Sequence, residues 1–293
     1  MPMPNFFIIG AMKAGTTALY FTLKQHPDIF MSPIKEPNFF AFEGQEKPIF
    51  VEGEEVIYTE LAEYRALFDR SNGKKAIGEA SHAYLYIPEA THRIRLTVPD
   101  ARLICILRNP VDRAYSHYLY LLRDGYEPID TFEHALNKED SRIADHQQLG
   151  HYFHRGLYSQ QLKRYFDDFP RDQIKVYLYE ELTNNPITLA QDIFKFLGVS
   201  DAFIPEVSIK RNPSGVPKNK WLHALLVKPN PAKSFFQPLL SERLYRVATQ
   251  IRDQNLVKPE LSPELRTKLI ARYRDDILCL QDQIGKDLSA WLQ

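Results

Sequence analysis

A buried strand, a glycine-bounded loop and a helix at the start of the chain limit the possible folds more than any other feature. The run Asn5–Ile9 is apolar after its first residue and stops at Gly10, which is typical of a strand buried on both faces. A loop over Gly10–Gly15 follows, and the good helix formers of Thr16–Gln25 predict a helix that His26-Pro27 ends. Such a unit is the beginning of a parallel α/β sheet.

The same order of strand and helix recurs along the chain. The apolar run Arg102–Leu107 predicts a second buried strand, and Asn109 and Pro110 are typical of the cap and first position of a helix that ends near Arg123. A third strand is predicted over Gln173–Tyr179. The other predicted elements are a short strand over Lys75–Glu79 and helices over Leu157–Phe169, Ile187–Leu197, Leu240–Ile251 and Pro263–Leu292.

Strands that alternate with helices imply right-handed crossovers, and these build a mainly parallel sheet covered by helices on both faces. The expected fold class is therefore α/β, with a P-loop-like parallel sheet flanked by helices and a C-terminal helical extension. We expect a single domain over residues 1–293, with the α/β core at 5–220 and the extension at 221–293. Ligands of such sheets bind at the carboxyl ends of the strands.

Composition and charge exclude several classes of protein. Hydrophobic residues at 44% and charged residues at 25% exclude wholesale disorder, collagen and coiled coils. The 37 basic residues balance the 37 acidic ones, so we expect no nucleic-acid partner and only a local anion site. No run approaches the ~18 apolar residues of a membrane span, and no basic export signal precedes Phe6. With Cys105 expected to be an inert buried thiol, these features predict a cytoplasmic location.

The loop after the first strand has the setting of a phosphate site. In Gly10-Ala-Met-Lys-Ala-Gly-Thr-Thr17, backbone amides and a helix amino terminus are available to an anion. A Walker loop ends in Gly-Lys followed by Thr or Ser, but here Thr16 occupies the lysine position and Lys13 lies inside the loop. The sequence therefore predicts a variant phosphate loop. The alternative is an ordinary strand–helix turn with a solvated lysine.

This loop resembles that of the sulfotransferases that use 3′-phosphoadenosine 5′-phosphosulfate (PAPS), whose 5′-phosphosulfate loop has the form Lys-x-Gly-Thr-Thr. The family's second element, a strand that ends in arginine followed by a helix that bears serine, is similar to Leu107-Arg-Asn-Pro-Val-Asp-Arg-Ala-Tyr-Ser116. Segments 155–158, 176–180 and 196–198 are also similar, so the resemblance covers residues 5–220. It is closest to the heparan N-sulfotransferase-like and bacterial branch.

At the sulfate end of the donor, the resemblance assigns the phosphate loop. Lys13 would contact the oxygen that bridges phosphate and sulfate, where negative charge develops during transfer. The strand that ends at Leu107-Arg108 lacks the aspartate of a Walker B motif, so we expect transfer without a metal ion. The residues implied for the 5′-phosphate are Ala14, Gly15, Thr16 and Thr17.

At the 3′-phosphate end, the resemblance implies Arg108 and Ser116. A guanidinium suits phosphate geometrically, although Arg108 could instead form a structural ion pair with Asp112. The basic segment 210–220 resembles a family segment that closes over the adenine and 3′-phosphate, the alternative being a plain solvated loop. Its candidate residues are Arg211, Gly215 and Lys218.

A base is needed because the acceptor loses a proton as it attacks sulfur. Glu36, in Ser32-Pro-Ile-Lys-Glu-Pro-Asn-Phe-Phe40, resembles the glutamate base of the heparan N-sulfotransferase branch. His82 is the second candidate, since an imidazole suits proton transfer near neutral pH. His117 is the third, against the alternative of a packed or solvated histidine.

Together these residues predict an enzyme that moves a sulfuryl group from PAPS to a hydroxyl or amine and releases adenosine 3′,5′-bisphosphate (PAP). The alternatives are a magnesium-dependent nucleotide kinase and a non-catalytic nucleotide-binding module. The acceptor and the oligomeric state stay open. Segments 41–70 and 221–238 are candidate walls of the acceptor pocket, with Tyr84, Tyr86, Tyr118 and Tyr120 as candidate lining residues.

Overall fold

The computed structural model describes residues 2–45, 57–147, 149–207, 215–218 and 255–293. The strands are β1 Phe6–Gly10, β2 Ile29–Met31, β3 Ala76–Ala80, β4 Arg102–Leu107, β5 Ile174–Leu178, β6 Val216–Pro217 and β7 Leu256–Val257. The helices are α1 Thr16–Leu23, α2 Phe39–Phe42, α3 Leu61–Ala66, α4 Ala83–Tyr86, α5 Pro88–Thr97, α6 Pro110–Asp124, α7 Phe132–Asn137, α8 Glu139–Ala144, α9 Tyr158–Asp168, α10 Tyr179–Asn184, α11 Pro186–Leu197 and α12 Pro263–Ile284. Arg211, the predicted helix Leu240–Ile251 and the predicted wall 221–238 lie outside the described residues.

The first five strands form one parallel sheet in the order β2-β3-β1-β4-β5. Strand β1 is central, and its Phe7 pairs with Glu79 of β3 on one side and with Leu103 of β4 on the other. Four of the five β1 residues, Phe6 to Ile9, have no solvent-exposed surface, as expected for a strand covered by helices on both faces. The predicted fold class, a parallel α/β sheet flanked by helices with a C-terminal helix, is confirmed.

Most predicted boundaries shift by one or two residues, and three differences have a clear local reason. The edge strand β2 was not predicted, because three residues are too few to show a period. Strand β5 ends at Leu178, since Tyr179 already begins α10. The predicted helix Pro263–Leu292 stops at Ile284, where Gly285 adopts a left-handed φ of 64° and a separate 3-10 turn follows.

The topology places a crevice at the carboxyl ends of β1 and β4. After β1 the chain crosses to β2 and β3 on one side of the sheet, whereas after β4 it crosses to β5 on the other side. The two loops therefore diverge, and ligands of open α/β sheets bind at such a switch point. The phosphate loop follows β1 and Arg108 follows β4, so both candidate donor-binding elements border this crevice.

The C-terminal helix α12 packs on the helices of the core. Asp276 accepts hydrogen bonds from the backbone N–H of Ser159 (3.1 Å) and from its hydroxyl, which caps the start of α9. Tyr273 donates its hydroxyl proton to the carbonyl of Phe153 (2.9 Å). Among the helices of the described residues, none is long and apolar enough to cross a membrane.

Cys105 lies in the middle of β4 with no exposed surface. Burial raises the pKa of its thiol well above the ordinary value. The buried thiol predicted from the apolar run is therefore confirmed, and its environment disfavours the reactive thiolate.

Candidate functional site

The phosphate loop depends on a glycine at its end. Gly15 has a φ of 99°, and a Cβ at this position would lie 2.6 Å from Cδ2 of Leu182, so a side chain there would meet both backbone strain and a clash. Helix α1 begins at the next residue, and helix geometry leaves the amides of Thr16 and Thr17 without an intrahelical acceptor. The amide of Ala14 instead donates to the carbonyl of Ala11 (3.1 Å), so Ala14 shapes the loop in this structure.

Lys13 lies within the loop in a strongly perturbed environment. Its backbone is left-handed, with a φ of 64°. Its ammonium lies 4.5 Å from the centre of the Tyr120 ring on α6. The pKa of Lys13 is lowered to about 7, mainly by burial and then by the positive charges of Arg123, Arg108 and Lys35, while the negative charge of Asp124 opposes the shift. An amine held among cations is a strong attractor for an anion that enters the crevice.

Arg108 faces the phosphate loop directly. Its Nη1 donates to the carbonyl of Lys13 at 3.2 Å, and its guanidinium carbon lies 4.7 Å from the centre of the Tyr179 ring. The alternative of an Arg108–Asp112 pair does not hold, because Asp112 is bound by Arg266 from α12. The end of β4 and the loop after β1 therefore meet through Arg108.

Helix α6 contains Ser116, the second candidate for the 3′-phosphate. Asn109 starts the helix, because its side-chain oxygen accepts from the amides of Val111 (3.0 Å) and Asp112 (3.3 Å). Ser116 is one turn before Tyr120, so both lie on the helix face that meets Lys13. Ser116 itself is buried, and its contact with a 3′-phosphate stays a prediction.

His117, the residue after Ser116, lies in a different environment. His117 has no exposed surface, and its ring packs 5.0 Å from the ring of Tyr152. A residue one position along a helix points about 100° away from its neighbour. The structure therefore places His117 in the core, which favours a packed histidine over a base.

Glu36 and His82 meet at the carboxyl ends of β2 and β3. The Glu36 carboxylate is buried and accepts the backbone N–H of His82 at 2.7 Å, while the His82 Nε2 lies 3.8 Å away. Lys35 also forms an ion pair with Glu36. Because Lys35 is one of the cations that act on the pKa of Lys13, the base candidate and the loop lysine belong to one electrostatic cluster.

The basic segment is described only in part. Gly215 lies against the strand that pairs with β6, where a Cβ would be 2.8 Å from the carbonyl oxygen of Val257. The backbone N–H of Lys218 donates to the carbonyl of Asn255 (2.7 Å). Arg211, the third candidate from this segment, lies outside the described residues, so its role stays a prediction.

Sequence reasoning missed two cations of the site. Arg123 acts on the pKa of Lys13 and lies over the Tyr120 ring at 5.2 Å; it follows Ser116 by seven residues, a helical spacing that could have indicated it. Lys258, which follows β7, has a pKa lowered by burial and then by the charge of Arg108. No local pattern points to Lys258, because it reaches the crevice only through the tertiary fold.

The four candidate tyrosines divide into two pairs. Tyr84 and Tyr118 are buried, with hydroxyls that donate to Glu79 (2.6 Å) and to the carbonyl of Ile129 (3.1 Å). Tyr86 and Tyr120 are only partly buried. The last two therefore keep some exposed surface, although the Tyr86 hydroxyl already lies 2.8 Å from Nδ1 of His151. In the described part of the chain, no group of three or more His, Cys, Asp or Glu could hold a metal ion.

Comparison with known proteins identifies the family. A model described as "Sulfotransferase family" matches residues 4–202. The chain belongs to the sulfotransferase family. A solved sulfotransferase from Alicyclobacillus acidocaldarius is 35% identical and superposes with a TM-score of 0.77 over 100% of both chains.

Curated relatives include enzymes of heparan sulfate. Bifunctional heparan sulfate N-deacetylase/N-sulfotransferase 4 of Mus musculus is 28% identical over 99% of this chain and 31% of its own length. Heparan sulfate glucosamine 3-O-sulfotransferase 6 of Homo sapiens is 30% identical over 67% of this chain and 52% of its own length. The chain therefore spans about a third of the first relative and about half of the second.

The family resemblance predicted from the two motifs is thus confirmed. Both motifs, from Lys13 to Thr17 and from Leu107 to Ser116, lie within the matched residues. The family model and the bacterial neighbour are sulfotransferases, so neither favours the nucleotide kinase or the non-catalytic module.

Proposed function

We propose that this protein transfers a sulfuryl group from PAPS to a hydroxyl or amine and releases PAP. The observation that carries the proposal is the hydrogen bond from Arg108 Nη1 to the Lys13 carbonyl, 3.2 Å long. It brings an arginine at the end of β4 to the lysine of the loop after β1, at the switch point of the sheet. A donor with a phosphosulfate at one end and a 3′-phosphate at the other needs cations at both of these places.

The donor would lie across the crevice between the two motifs. The amides at the start of α1, together with the hydroxyls of Thr16 and Thr17, would receive the 5′-phosphate. Arg108 and Ser116 would receive the 3′-phosphate, and Tyr179 supports the Arg108 guanidinium from one face. The additional positive charge of Lys258 near Arg108 favours the same anion. Gly215 and Lys218 are further candidates for contacts to the adenine and the 3′-phosphate.

The chemical step is an in-line displacement at sulfur. The acceptor's lone pair forms a bond to sulfur, and the bond from sulfur to the 5′-phosphate oxygen breaks with its electron pair left on that oxygen. Lys13 would stabilise the charge that develops there, and the anionic donor raises the pKa of Lys13 from about 7, so the ammonium form is present when it is needed. The acceptor's proton goes to the base.

Glu36 is the proposed base. Its carboxylate is buried beside Lys35, in the electrostatic cluster of Lys13, and the N–H of His82 orients one oxygen. A positioned carboxylate that accepts the acceptor's proton satisfies the requirement of the displacement. His82 Nε2 lies 3.8 Å from the Glu36 carboxylate and is the second candidate for the base. The burial of the His117 ring against Tyr152 makes it the least favoured of the three.

For the acceptor we propose an amine or hydroxyl of a carbohydrate as the first candidate, since relatives of this chain are named for action on heparan sulfate. A cytoplasmic location stays our prediction from the sequence. N-desulfated heparan sulfate is the first probe, followed by phenolic, lipid and polyketide acceptors with radiolabelled donor. Label transferred to any of them identifies the acceptor class.

Calorimetry with PAP and ATP tests the donor site. We expect tight binding of PAP that ATP cannot match and that survives a chelator, because the proposed contacts involve no metal ion. Tighter binding of magnesium–ATP than of PAP would instead support the kinase.

Replacement of the loop lysine tests catalysis. Removing a charge-stabilising donor typically costs ~3 kcal/mol, so Lys13→Ala should lower turnover by at least about a hundredfold while the fold survives. The matched control is Lys24→Ala, at the other end of α1, where the lysine is exposed. Wild-type turnover in Lys13→Ala would refute the proposed role.

A further inference from the structure

Strand β3 contains a carboxylate that the proposed reaction does not use. Glu79 has no exposed surface, and its Oε1 accepts the hydroxyls of Tyr64 (3.1 Å) and Tyr84 (2.6 Å). Its Oε2 accepts the hydroxyl of Ser81 at 2.7 Å. An acidic side chain buried among aromatic rings is costly even when it is hydrogen-bonded, so its presence in the central sheet requires an explanation.

Two of these hydroxyls, those of Ser81 and Tyr84, also accept hydrogen bonds from the segment that contains Glu36. We call residues 36–40 the Glu36 loop. The backbone N–H of Asn38 donates to Oγ of Ser81 (3.1 Å), and that of Phe40 donates to the Tyr84 hydroxyl oxygen (3.4 Å). A hydroxyl has a single proton, so a hydroxyl that donates to Glu79 turns its acceptor lone pairs towards the loop.

The Glu36 loop needs such support because its backbone is strained. Glu36 and Asn38 both have left-handed φ values, 59° and 55°. Residues other than glycine keep this conformation only where surrounding contacts hold it. The Asn38 side chain adds a hydrogen bond to the Glu36 carbonyl at 3.0 Å, so an Asn38 held by Ser81 also holds the backbone of the base.

We infer that Glu79 is a positioning residue for sulfuryl transfer, which orients the hydroxyls of Ser81 and Tyr84 and through them fixes the Glu36 loop. The inference rests on the proposed function of Glu36 as the base. A carboxylate is suited to this task because it accepts hydrogen bonds and has no proton of its own to donate when ionised. A buried hydrogen-bond network of this kind makes a segment more rigid.

Tyr64 supplies the matched control. Its hydroxyl donates to the same carboxylate as Ser81 and Tyr84 do, but its ring stacks on Phe39 at 4.5 Å, and its hydroxyl is linked to Glu79 rather than to a loop amide. Tyr64→Phe and Ser81→Ala each remove one hydroxyl donor from Glu79. Only Ser81→Ala also removes an acceptor for the loop.

The experiment compares Ser81→Ala, Tyr84→Phe and Tyr64→Phe in the full chain with PAP bound. Hydrogen exchange at the Asn38 and Phe40 amides reports the loop without any acceptor substrate. We expect Ser81→Ala to accelerate exchange at Asn38, and Tyr84→Phe at Phe40, by at least about tenfold, while Tyr64→Phe leaves both amides protected. Turnover is measured with N-desulfated heparan sulfate, or with the acceptor labelled in the screen.

We expect turnover to fall by at least about tenfold in Ser81→Ala. The affinity for PAP should not change, because the donor site lies on other elements. Tyr64→Phe should keep the wild-type rate. Equal losses in Ser81→Ala and Tyr64→Phe, or unchanged exchange at both loop amides, overturn the inference. If Ser81→Ala does not fold, Tyr84→Phe carries the same expectations.

Glu36→Gln separates this inference from the proposal on which it rests. A wild-type rate in Glu36→Gln overturns Glu36 as the base, and the inference with it. An inactive Glu36→Gln beside a fully active Ser81→Ala overturns the inference alone.

Discussion

The ammonium of Lys13 lies 4.5 Å from the centre of the Tyr120 ring, and the guanidinium carbon of Arg123 lies 5.2 Å from the same centre. One aromatic ring on α6 thus contacts two cations of the site. The Arg123 guanidinium also binds the carboxylate of Asp124 through two hydrogen bonds, of 2.7 and 2.9 Å. Lys13 is therefore held by a π face and lies close enough to Arg123 for that charge to lower its pKa.

We predict that Tyr120→Leu slows sulfuryl transfer and that Tyr120→Phe does not. A cation–π contact contributes about 0.5 to 2 kcal/mol, so its loss should reduce turnover about twofold to thirtyfold. The phenylalanine variant keeps the π face and removes only the hydroxyl. Steady-state kinetics with saturating PAPS measures both, and equal rates in the two variants would show that the ring does not position Lys13.

Replacement of Arg108 by lysine should weaken the binding of PAP much more than that of adenosine 5′-monophosphate. Lysine keeps the charge but loses the planar fork that matches a phosphate, so we expect at least about a tenfold loss. The matched control is Arg102→Lys, at the other end of β4, where the guanidinium lies over Phe196 as that of Arg108 lies over Tyr179. Calorimetry measures the affinity of the variant for both nucleotides. Equal losses of affinity for PAP and for adenosine 5′-monophosphate would contradict the role of Arg108 at the 3′-phosphate.

Lys13→Met should stabilise the protein against unfolding near neutral pH. The pKa of Lys13 is lowered to about 7 in the folded state from 10.5, so between these values the unfolded chain binds more protons. Wild-type stability therefore rises with pH through this range, and the penalty is largest below pH 7. We expect Lys13→Met to gain at least about 1 kcal/mol at pH 7 and to lose this advantage as the pH increases towards 10. Denaturant unfolding at several pH values measures the difference.

The contribution of Glu79 to stability should change with pH in the opposite direction to that of Lys13. Burial raises its pKa to about 7 from 4.5, against the hydrogen bonds of Tyr84, Ser81 and Tyr64. Between these values the folded protein binds more protons, so the Glu79 contribution to stability decreases as the pH rises from about 5 to 8. Relative to Glu79→Gln, the wild type should lose up to about 3 kcal/mol over this range. A parallel pH dependence of unfolding in the two proteins would exclude the raised pKa.

The local sequence contained enough information to predict most strands of the sheet and the two donor-binding motifs. Apolar runs next to turn residues identified four of the five strands of the main sheet, because a buried strand needs apolar side chains on both faces. Lys13 and Arg108 follow two of these strands, and their roles were assigned because the motifs that contain them resemble those of sulfotransferases. The edge strand β2 escaped detection, since Ile29–Met31 is too short for a period.

The sequence by itself determined the parallel sheet and its phosphate loop, because the strand period and the spacing from Lys13 to Thr17 are local properties. Only the tertiary structure decided that Asp112 binds Arg266, that His117 packs in the core, and that Lys258 approaches Arg108. It also decided the link from Glu79 to the Glu36 loop. These contacts join segments far apart in the chain or depend on which face of a helix is buried. Side-chain identity does not specify a partner until the backbone has brought the two residues together.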